Sequence, residues 1–434
     1  MNLYGVGGRP VLHSKSPLVH AHIFGRAGCR SIRIGADTAE ELAGLVRSAG
    51  ILGLNVTAPF KRSIMPLLDG LDASASAVGA VNTVVNSSGH LTGFNTDPDG
   101  VLFALKQKGI RPAGLRILVL GAGGAGRAAA ASLVRNGGRV TVANRTDDVA
   151  KSCAAAFRCG WTPFSGWVRR LDAFDLLVNT VPVSAENATP PSNLIVLDAL
   201  YAKRPFAPVA ARRGCVYIPG EAWLFGQALA SCRLWRKIRS GCLEPAGCGE
   251  PPARLFKPLY PARKIRRVAL AGIMGAGKST VGRLLAGSLG RPFIDMDALI
   301  AERERMSISE IFRRRGENVF RAVETEILQT VLQTPPAVLA LGGGAVLRPE
   351  NRAALRRNSL VVWIHAAPDA AWKRVSGAGR PLLENLPGRE AFRNLCARRM
   401  RFYADAADLM ISGEKSPEHI ARHIHEDIHQ TLQD

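Results

Sequence analysis

Gly272-Ile-Met-Gly-Ala-Gly-Lys-Ser-Thr280 reads G-x-x-x-x-G-K-[ST]. The apolar run Val268-Ala-Leu-Ala271 precedes it and Val281-Gly-Arg-Leu-Leu-Ala286, with helical spacing, follows it. Strand, glycine loop and helix is the setting in which such a loop cradles phosphate. Glycines let successive backbone N–H groups turn toward anionic oxygens, and the helix N-terminus adds partial positive charge. The loop predicts that Gly275, Ala276, Gly277, Lys278, Ser279 and Thr280 hold ATP, with Lys278 at the β- and γ-phosphates and the Ser279 hydroxyl on Mg²⁺.

The chain around this loop is long enough for two or three domains, at 434 residues. Its net charge of +22 admits nucleic acid or small anions as partners, but the arginines are scattered, with no basic run or aromatic-interleaved patch, so nucleic acid is not expected. The eight cysteines, at 29, 153, 159, 215, 232, 242, 248 and 396, form no C-x-x-C pair or zinc spacing and read as reduced thiols. No signal peptide and no membrane span is expected, and the location expected is the cytoplasm. The pattern sets no oligomeric state, monomer or homodimer.

An earlier glycine loop stands in Leu115-Arg-Ile-Leu-Val-Leu-Gly-Ala-Gly-Gly-Ala-Gly126, a strand followed by G-x-G-x-x-G. An alanine-rich helix and the strand Val140-Thr-Val-Ala143 complete the unit in which such a loop binds a dinucleotide. The second strand ends in Asn144-Arg-Thr146 where an acidic residue would accompany NAD. Arg145 would pair with a 2′-phosphate that a carboxylate would repel, so the cofactor expected is NADPH.

Four further stretches carry chemistry. Ser14 and Ser16 flank Lys15 before Pro17, which opens a helix. Strand Leu54 to Val56 leads through Thr57-Ala-Pro59 to Lys61, expected at the start of the next helix, a setting that favours anions and suits a lysine to proton transfer. Asn82 and Asp97 sit at strand ends beside turn chemistry. Taken singly, Ser14, Ser16 and Asp97 are equally read as helix caps, and Lys61 as an exposed lysine.

As a set they are specific. G-x-P-x-x-H-S-x-S-P (8–17), N-V-T-x-P-x-K (55–61), G-A-V-N-T (79–83) and G-x-N-T-D-x-x-G (93–100) resemble shikimate dehydrogenase, and the resemblance extends over nearly all of residues 1–240. It implies that Ser14 and Ser16 hold the substrate carboxylate. Thr57, Asn82, Asp97, Tyr201 and Gln227 would contact ring hydroxyls, and Lys61 with Asp97 would form the catalytic pair. Gly121, Gly123, Gly124, Ala125, Gly126, Asn144, Arg145, Thr146 and Gly220 would lie on the cofactor. The segment Asn179-Thr-Val-Pro-Val-Ser-Ala-Glu186 departs from the family's nicotinamide-side loop.

From about Ile238 to Lys264 periodicity stops among prolines and glycines, which reads as a semi-rigid linker. Beyond it, Phe293-Ile-Asp-Met-Asp297 reads as a strand presenting Asp295 and Asp297 in one direction. Residues 308–327 read as a helix broken near Gly316, Val338-Leu-Ala-Leu-Gly-Gly-Gly-Ala345 as a buried strand ending in glycines, and Ser376 to Leu383 as a glycine-hinged arginine loop. P-loop, D-x-D, F-R-x-x-E (320–324), G-G-G, R-P-L-L and R-x-x-x-Y together are similar to shikimate kinase. The similarity implies that Asp297 binds the attacking hydroxyl and Asp295 the metal's water. Arg321 and Arg399 would clamp the substrate carboxylate, Gly343 and Gly344 would give backbone contacts, and Arg380 would cover the phosphates.

The fold expected is therefore α/β throughout: a two-lobed dehydrogenase, with a substrate lobe over 1–100 joined again by about 221–240 and a Rossmann-type NADP domain over 101–220. A joint over 241–264 and a P-loop kinase domain with a central parallel sheet over 265–434 complete the chain. The activity expected is NADPH-dependent reduction of 3-dehydroshikimate followed by ATP-dependent phosphorylation of shikimate. The rival reading keeps the kinase and makes the first half a non-catalytic, ligand-sensing module; the altered 179–186 loop is its one support.

Overall fold

The structure is a computed structural model that describes residues 1–25, 28–201, 204–237, 252, 255, 265–376 and 388–433. The linker expected over 241–264 lies outside the described residues apart from 252 and 255. The chain forms two compact units. One holds residues 1–14, 28–51 and the described residues from 265 to 433; the other holds residues 15–25 and the described residues from 52 to 255.

The first unit is built on seven parallel strands. Phe293–Asp295 lies beside Val338–Ala340, then come Val268–Ala271, Leu360–His365 and Leu409–Ser412. Cys29–Gly35 and Asn2–Gly8 continue the same sheet. The central strands are buried along their whole length. That is why Val268-Ala-Leu-Ala271 and Leu360-Val-Val-Trp-Ile364 are unbroken apolar runs rather than alternating ones. Strand order reverses beside Val268–Ala271, and the glycine loop leaves its C-terminal end at that switch point. The long helix Ile308–Gln333 starts in a capping box, Ser307 with Glu310, and turns at Gly316, whose φ of 79° suits glycine. The grouping of residues 1–14 and 28–51 with the kinase segment has no local signal in sequence. It follows from Leu409, Met410 and Ile411 taking Arg33, Ile34 and Gly35 as register partners.

The second unit has two sheets. In the smaller, Gly53–Val56 pairs antiparallel with Thr83–Ser87, which pairs antiparallel with His90–Phe94, which takes Gly70–Leu71 in parallel. The larger has six parallel strands, with Arg116–Leu120 and Leu176–Asn179 at its centre. Arg139–Asn144 and Gly160–Pro163 extend one side, Ile195–Asp198 and Val216–Pro219 the other. This is the doubly wound Rossmann order. Ile117 and Val119 pack under the helix Gly124–Arg135 with Ala129 and Leu133, whereas Leu118 and Leu120 face Trp167, Leu171 and Phe206. Adjacent residues point to opposite faces of a strand, so both faces are apolar. The helix Gly220–Lys237 puts Trp223 in the Rossmann core and bonds Trp235 Nε1 to the Val84 carbonyl at 3.0 Å, so its later turns rejoin the smaller sheet.

Candidate active sites

In the first unit the phosphate loop is held open by its glycines. Gly272, Gly275 and Gly277 have φ of 152°, 82° and 86°, where a side chain would strain the backbone. Ala276 N–H closes the turn on the Ile273 carbonyl. Lys278 opens the helix Lys278–Leu289, and its ammonium donates to the Gly272 and Ile273 carbonyls at 2.9 and 3.2 Å, which keeps the charge inside the loop. Ser279 Oγ donates to Asp295 Oδ2 at 2.6 Å. The other oxygen of Asp295 caps the helix Met296–Glu304 by accepting from Asp297 N–H at 3.1 Å.

The strand expected to carry both aspartates ends two residues early. Asp295 is the last strand residue and Asp297 lies in the first helical turn, so the turn, not strand alternation, aims them. Lys278, Ser279, Asp295, Asp297, Arg321 and Glu324 line one cleft of about 630 Å³, with Thr280, Gly343 and Gly344 also on its wall.

Arg321 is 6% exposed and donates to Glu324 at 2.7 Å and to Glu317 at 3.1 Å. Glu324 is 1% exposed. Its second oxygen has no hydrogen-bond partner among the described residues. Burial raises the pKa of its carboxyl, Arg321 opposes that, and Asp297 adds to it. The three glycines after Val338–Ala340 allow this crowding. A Cβ on Gly342 would stand 2.5 Å from Glu324 and 2.7 Å from Asp297, and one on Gly344 would stand 2.2 Å from Arg321. Gly343 offers its carbonyl to Arg399 Nη1 at 3.4 Å and to the Tyr403 hydroxyl at 2.5 Å. Arg380 and the rest of the arginine loop lie outside the described residues.

In the second unit Lys61 and Asp97 form an ion pair, Asp97 nearly buried. Asp97 begins the helix Asp97–Lys106, where a carboxylate complements the helix dipole. Lys61 differs from expectation: it lies in a run of turns before the short 3₁₀ segment Met65–Leu67, not at a helix start, so its partner and not a helix end sets its surroundings. Its methylenes rest against the nucleotide loop, where a Cβ on Gly124 would come within 2.8 Å of Lys61 Cδ.

Beside the pair is a buried neutral network. Asn82 donates to Thr96 at 3.1 Å and to Gln227 Oε1 at 3.3 Å, and accepts the Thr96 N–H at 2.7 Å. The hydroxyls of Thr83, Thr96 and Ser231 lie within 2.8–3.1 Å of one another. Asn55 donates to the Asn82 carbonyl, Thr83 and Ser231, and accepts from His20 Nε2 at 2.8 Å. Burial lowers the His20 pKa to about 4, so the ring is neutral and donates through Nε2.

Asn55 and Thr83 stand in the quoted motifs but are given no role there, and Ser231 stands in none of them. Ser231 has a weak signal, four residues after Gln227 on the same helix. Arg374, which binds the Gly275 and Gly413 carbonyls at 3.2 and 3.0 Å, has none.

On the nucleotide side, Gly121 has φ of 101° and meets Thr180, while a Cβ on Gly126 would stand 2.0 Å from the Gly121 carbonyl. Ala122 N–H donates to Asn144 Oδ1 at 3.2 Å, and Asn144 donates to the Thr146 carbonyl at 3.1 Å. Gly123 caps the helix that Gly124 and Ala125 open. Arg145 stands exposed with no carboxylate in ion-pair reach among the described residues. Gly220 passes so close to the Asp198 and Ala199 carbonyls that a Cβ would meet them at 2.6 Å. In the 179–186 segment Asn179 donates to Asp198 at 3.0 Å and is fully buried.

Thr57 follows the strand Gly53–Val56, and the Tyr201 ring lies 5.6 Å from Lys15 Nζ. Ser16 opens the helix Ser16–Phe24 in this unit, while Ser14 belongs to the first unit, where its carbonyl accepts from Arg33 at 2.6 Å.

Comparison with known proteins falls on the same two halves. Three family models match: "Shikimate dehydrogenase substrate binding domain" over residues 6–84, "Shikimate / quinate 5-dehydrogenase" over 104–189 and "Shikimate kinase" over 274–429. The shikimate dehydrogenase (NADP(+)) of Citrifermentans bemidjiense is 37% identical over 286 residues, 59% of this chain and 97% of that protein. The shikimate kinase of Symbiobacterium thermophilum is 43% identical over 151 residues, 34% of this chain and 87% of that protein. A solved structure of the shikimate 5-dehydrogenase from Thermus thermophilus, in complex with NADP(H) and shikimate, superposes with a TM-score of 0.50 at 34% identity, covering 59% of this chain and 97% of that one. The chain belongs to the shikimate dehydrogenase family in its N-terminal part and to the shikimate kinase family in its C-terminal part.

Proposed function

We propose that the chain catalyses two consecutive steps: NADPH-dependent reduction of 3-dehydroshikimate to shikimate, then transfer of the γ-phosphate of MgATP to the 3-hydroxyl of shikimate. The observation that carries this reading is that each nucleotide loop touches a charged side chain of its own centre. Lys61 packs on Gly124 of one, and Ser279 of the other bonds Asp295.

In the reduction, NADPH supplies a hydride to the ketone carbon. Lys61 gives a proton to the oxygen that becomes the hydroxyl, and Asp97 holds the ammonium toward it. Thr57, Asn82, Tyr201 and Gln227 orient the ring through its hydroxyls, with Ser14 and Ser16 on the carboxylate. Gly121, Gly123, Gly124, Ala125 and Gly126 bring backbone to the pyrophosphate. Arg145 takes the 2′-phosphate, Asn144 and Thr146 shape the loop beneath it, and Gly220 leaves room for the cofactor. The exposed, carboxylate-free setting of Arg145 fits that phosphate.

In the phosphorylation, Arg321 and Arg399 hold the carboxylate, and Asp297 accepts the proton of the attacking hydroxyl. Lys278 and the backbone of 275–280 neutralise phosphate charge, and we assign Arg380 to the same phosphates. Ser279 Oγ and, through water, Asp295 are the oxygen donors that suit Mg²⁺, a hard cation. We assign the dehydrogenase segments to residues 1–100 with 221–240 and to 101–220, and the kinase to 265–434. No helix among the described residues is long and apolar enough to cross a membrane. We place the protein in the cytoplasm, where the cysteines among the described residues, at 29, 153, 159, 215, 232 and 396, would stay reduced thiols.

The test is to give the purified chain 3-dehydroshikimate, NADPH and MgATP together. Shikimate 3-phosphate should form, with one NADPH oxidised per product. Phosphorylation of added shikimate without any oxidation of NADPH would refute the first half of the reading.

A further inference from the structure

We propose that residues 1–14 and 28–51 are a wall of the kinase body, so that the kinase segment is held to the rest of the chain by a folded interface as well as by the covalent joint. Three observations meet here. The first is the sheet. Without Cys29–Gly35, the strand Leu409–Ser412 would be an edge whose Leu, Met and Ile side chains flank unpaired backbone groups, a feature proteins ordinarily cover. Arg33 N–H and Arg30 Nη2 donate to the Asp408 and Ala407 carbonyls at 3.3 and 2.9 Å along the same seam. Ser48, at the end of the helix Ala39–Ser48, meets His365 Nε2 at 3.1 Å at the end of the neighbouring strand.

The second is the last helix, Pro417–Gln433. His419, His423 and Asp427 are spaced four apart, so they share one face. His419 bonds Asp37, and the His423 ring stands 3.3 Å from the same carboxylate. Arg9 reaches Asp37, His423 and Glu426. Asp427, 1% exposed, accepts the backbone N–H groups of Val11 and Leu12 at 2.7 and 3.3 Å. Buried charge-assisted bonds of this kind are costly to break from one side only.

The third is shape. A Cβ on Gly35 would stand 2.7 Å from His423 Nε2, so the strand and the helix have no slack between them.

The occupant of this face is therefore the chain's own N-terminal segment, supplied from beyond the joint. To test it, a protease recognition sequence is inserted between Gly249 and Glu250, and the purified full chain is cut there. The two fragments of the wild type should run as one species in size-exclusion chromatography at micromolar concentration and keep kinase turnover within about twofold. Asp427→Ala and, from the opposite side, Gly35→Val should leave both activities near normal while the chain is uncut, because a tether of this kind holds its ends at about millimolar effective concentration. Once cut, either variant should show a fragment dissociation constant at least tenfold above that of the cut wild type. Hydrogen exchange at Val11, Leu12 and residues 409–412 gives a readout free of substitution: protection should survive cutting. Wild-type fragments that separate at micromolar concentration, loss of that protection on cutting, or variants that hold as tightly as the wild type would each overturn the proposal.

Discussion

The two active centres are built from different materials. Around Lys61 and Asp97 the supporting side chains are neutral amides and hydroxyls, Asn55, Asn82, Thr83, Thr96, Gln227 and Ser231. In the kinase cleft six charged side chains, Lys278, Asp295, Asp297, Arg321, Glu324 and Arg374, reach the cavity beside the hydroxyls of Ser279 and Thr280 and the rings of Phe312 and Phe320. The difference follows from the chemistry each must do. Reduction of a ketone moves one proton and needs a wall that reads hydroxyl positions without disturbing the one ion pair beside it. Transfer of a phosphoryl group between oxyanions needs fixed charge wherever negative charge accumulates. Changing a residue in one centre should therefore fail in a way the other does not share.

The largest effect belongs to Lys278→Ala. Its ammonium sits inside the phosphate loop, and no other lysine lines the cleft among the described residues. Phosphorylation should fall below detection while NADPH oxidation continues unchanged; appreciable kinase turnover in the variant would remove the phosphate-loop assignment. Lys61→Met keeps most of the stem that packs on Gly124 but cannot exchange a proton. Reduction should slow by about 10²–10⁴-fold with a smaller change in cofactor affinity. A near-normal kcat would shift the proton role to another group. Arg145→Ala should weaken NADPH by about 10- to 150-fold relative to NADH, the worth of a charge-assisted hydrogen bond. Equal losses with both cofactors would mean that Arg145 does not read the 2′-phosphate.

What can be read in the sequence tracks how local each device is. Both nucleotide loops are continuous stretches of strand, glycines and helix, so Gly121 to Gly126 and Gly272 to Thr280 announce the two parallel sheets directly. Lys61 and Asp97 stand out because each sits in a short recognisable stretch, although nothing in their spacing says that they touch. Local pattern misleads in two places: it puts Lys61 at a helix start and Asp297 on a strand. Lys61 lies four residues before the short 3₁₀ segment and Asp297 two residues past the strand, where boundaries depend on tertiary packing. That the hydroxyls of Thr83, Thr96 and Ser231 form one cluster has no signal, because it joins residues 13 to 148 positions apart. The pairing of Cys29–Gly35 with Leu409–Ser412 is equally silent: an apolar strand does not say which strand it will lie beside.

Each unit also holds a histidine whose pKa burial lowers, and this sharpens the comparison by pH. Burial lowers both His20, in the second unit, and His365, in the first, to about 4. An unfolded imidazole titrates near 6.5, so below that value the unfolded chain takes up protons that the folded chain refuses. The stability each neutral ring contributes is present in full above about 6.5 and is lost as pH falls toward 4, about 2–3 kcal/mol per ring by pH 4.5. Guanidinium unfolding at pH 7 and pH 4.5 should show a smaller acid loss in His20→Gln and in His365→Gln than in the wild type. A variant that loses as much as the wild type would show that its ring is not the one refusing the proton.

The smallest effect expected is that of Ser231→Ala, and it asks whether the neutral network positions substrate-binding groups or only fills space. Ser231 Oγ donates to the Gln227 carbonyl at 2.9 Å, accepts from Asn55 Nδ2 at 2.9 Å, and lies 2.8 and 2.9 Å from the hydroxyls of Thr83 and Thr96. Removing it does not orphan its neighbours. Asn55 keeps the Asn82 carbonyl and Thr83, and Thr96 keeps Asn82. The cost to stability should therefore lie near about 1 kcal/mol, the low end for a buried hydrogen-bonding group. What the hydroxyl does hold is distance: it fixes Thr96, which binds both ends of the Asn82 amide, and through Asn82 the amide of Gln227. If these amides read ring hydroxyls, a loosened Asn82 should raise KM for 3-dehydroshikimate by about tenfold or less and leave kcat within about threefold, since a lost positioning bond of ~1 kcal/mol is worth about fivefold. The kinase, whose cleft shares none of these residues, should be unaffected. A drop in kcat at unchanged KM would place Ser231 behind Asp97 and the proton instead. No change in either constant would reduce the cluster to packing and leave Asn82 to be positioned by its own backbone.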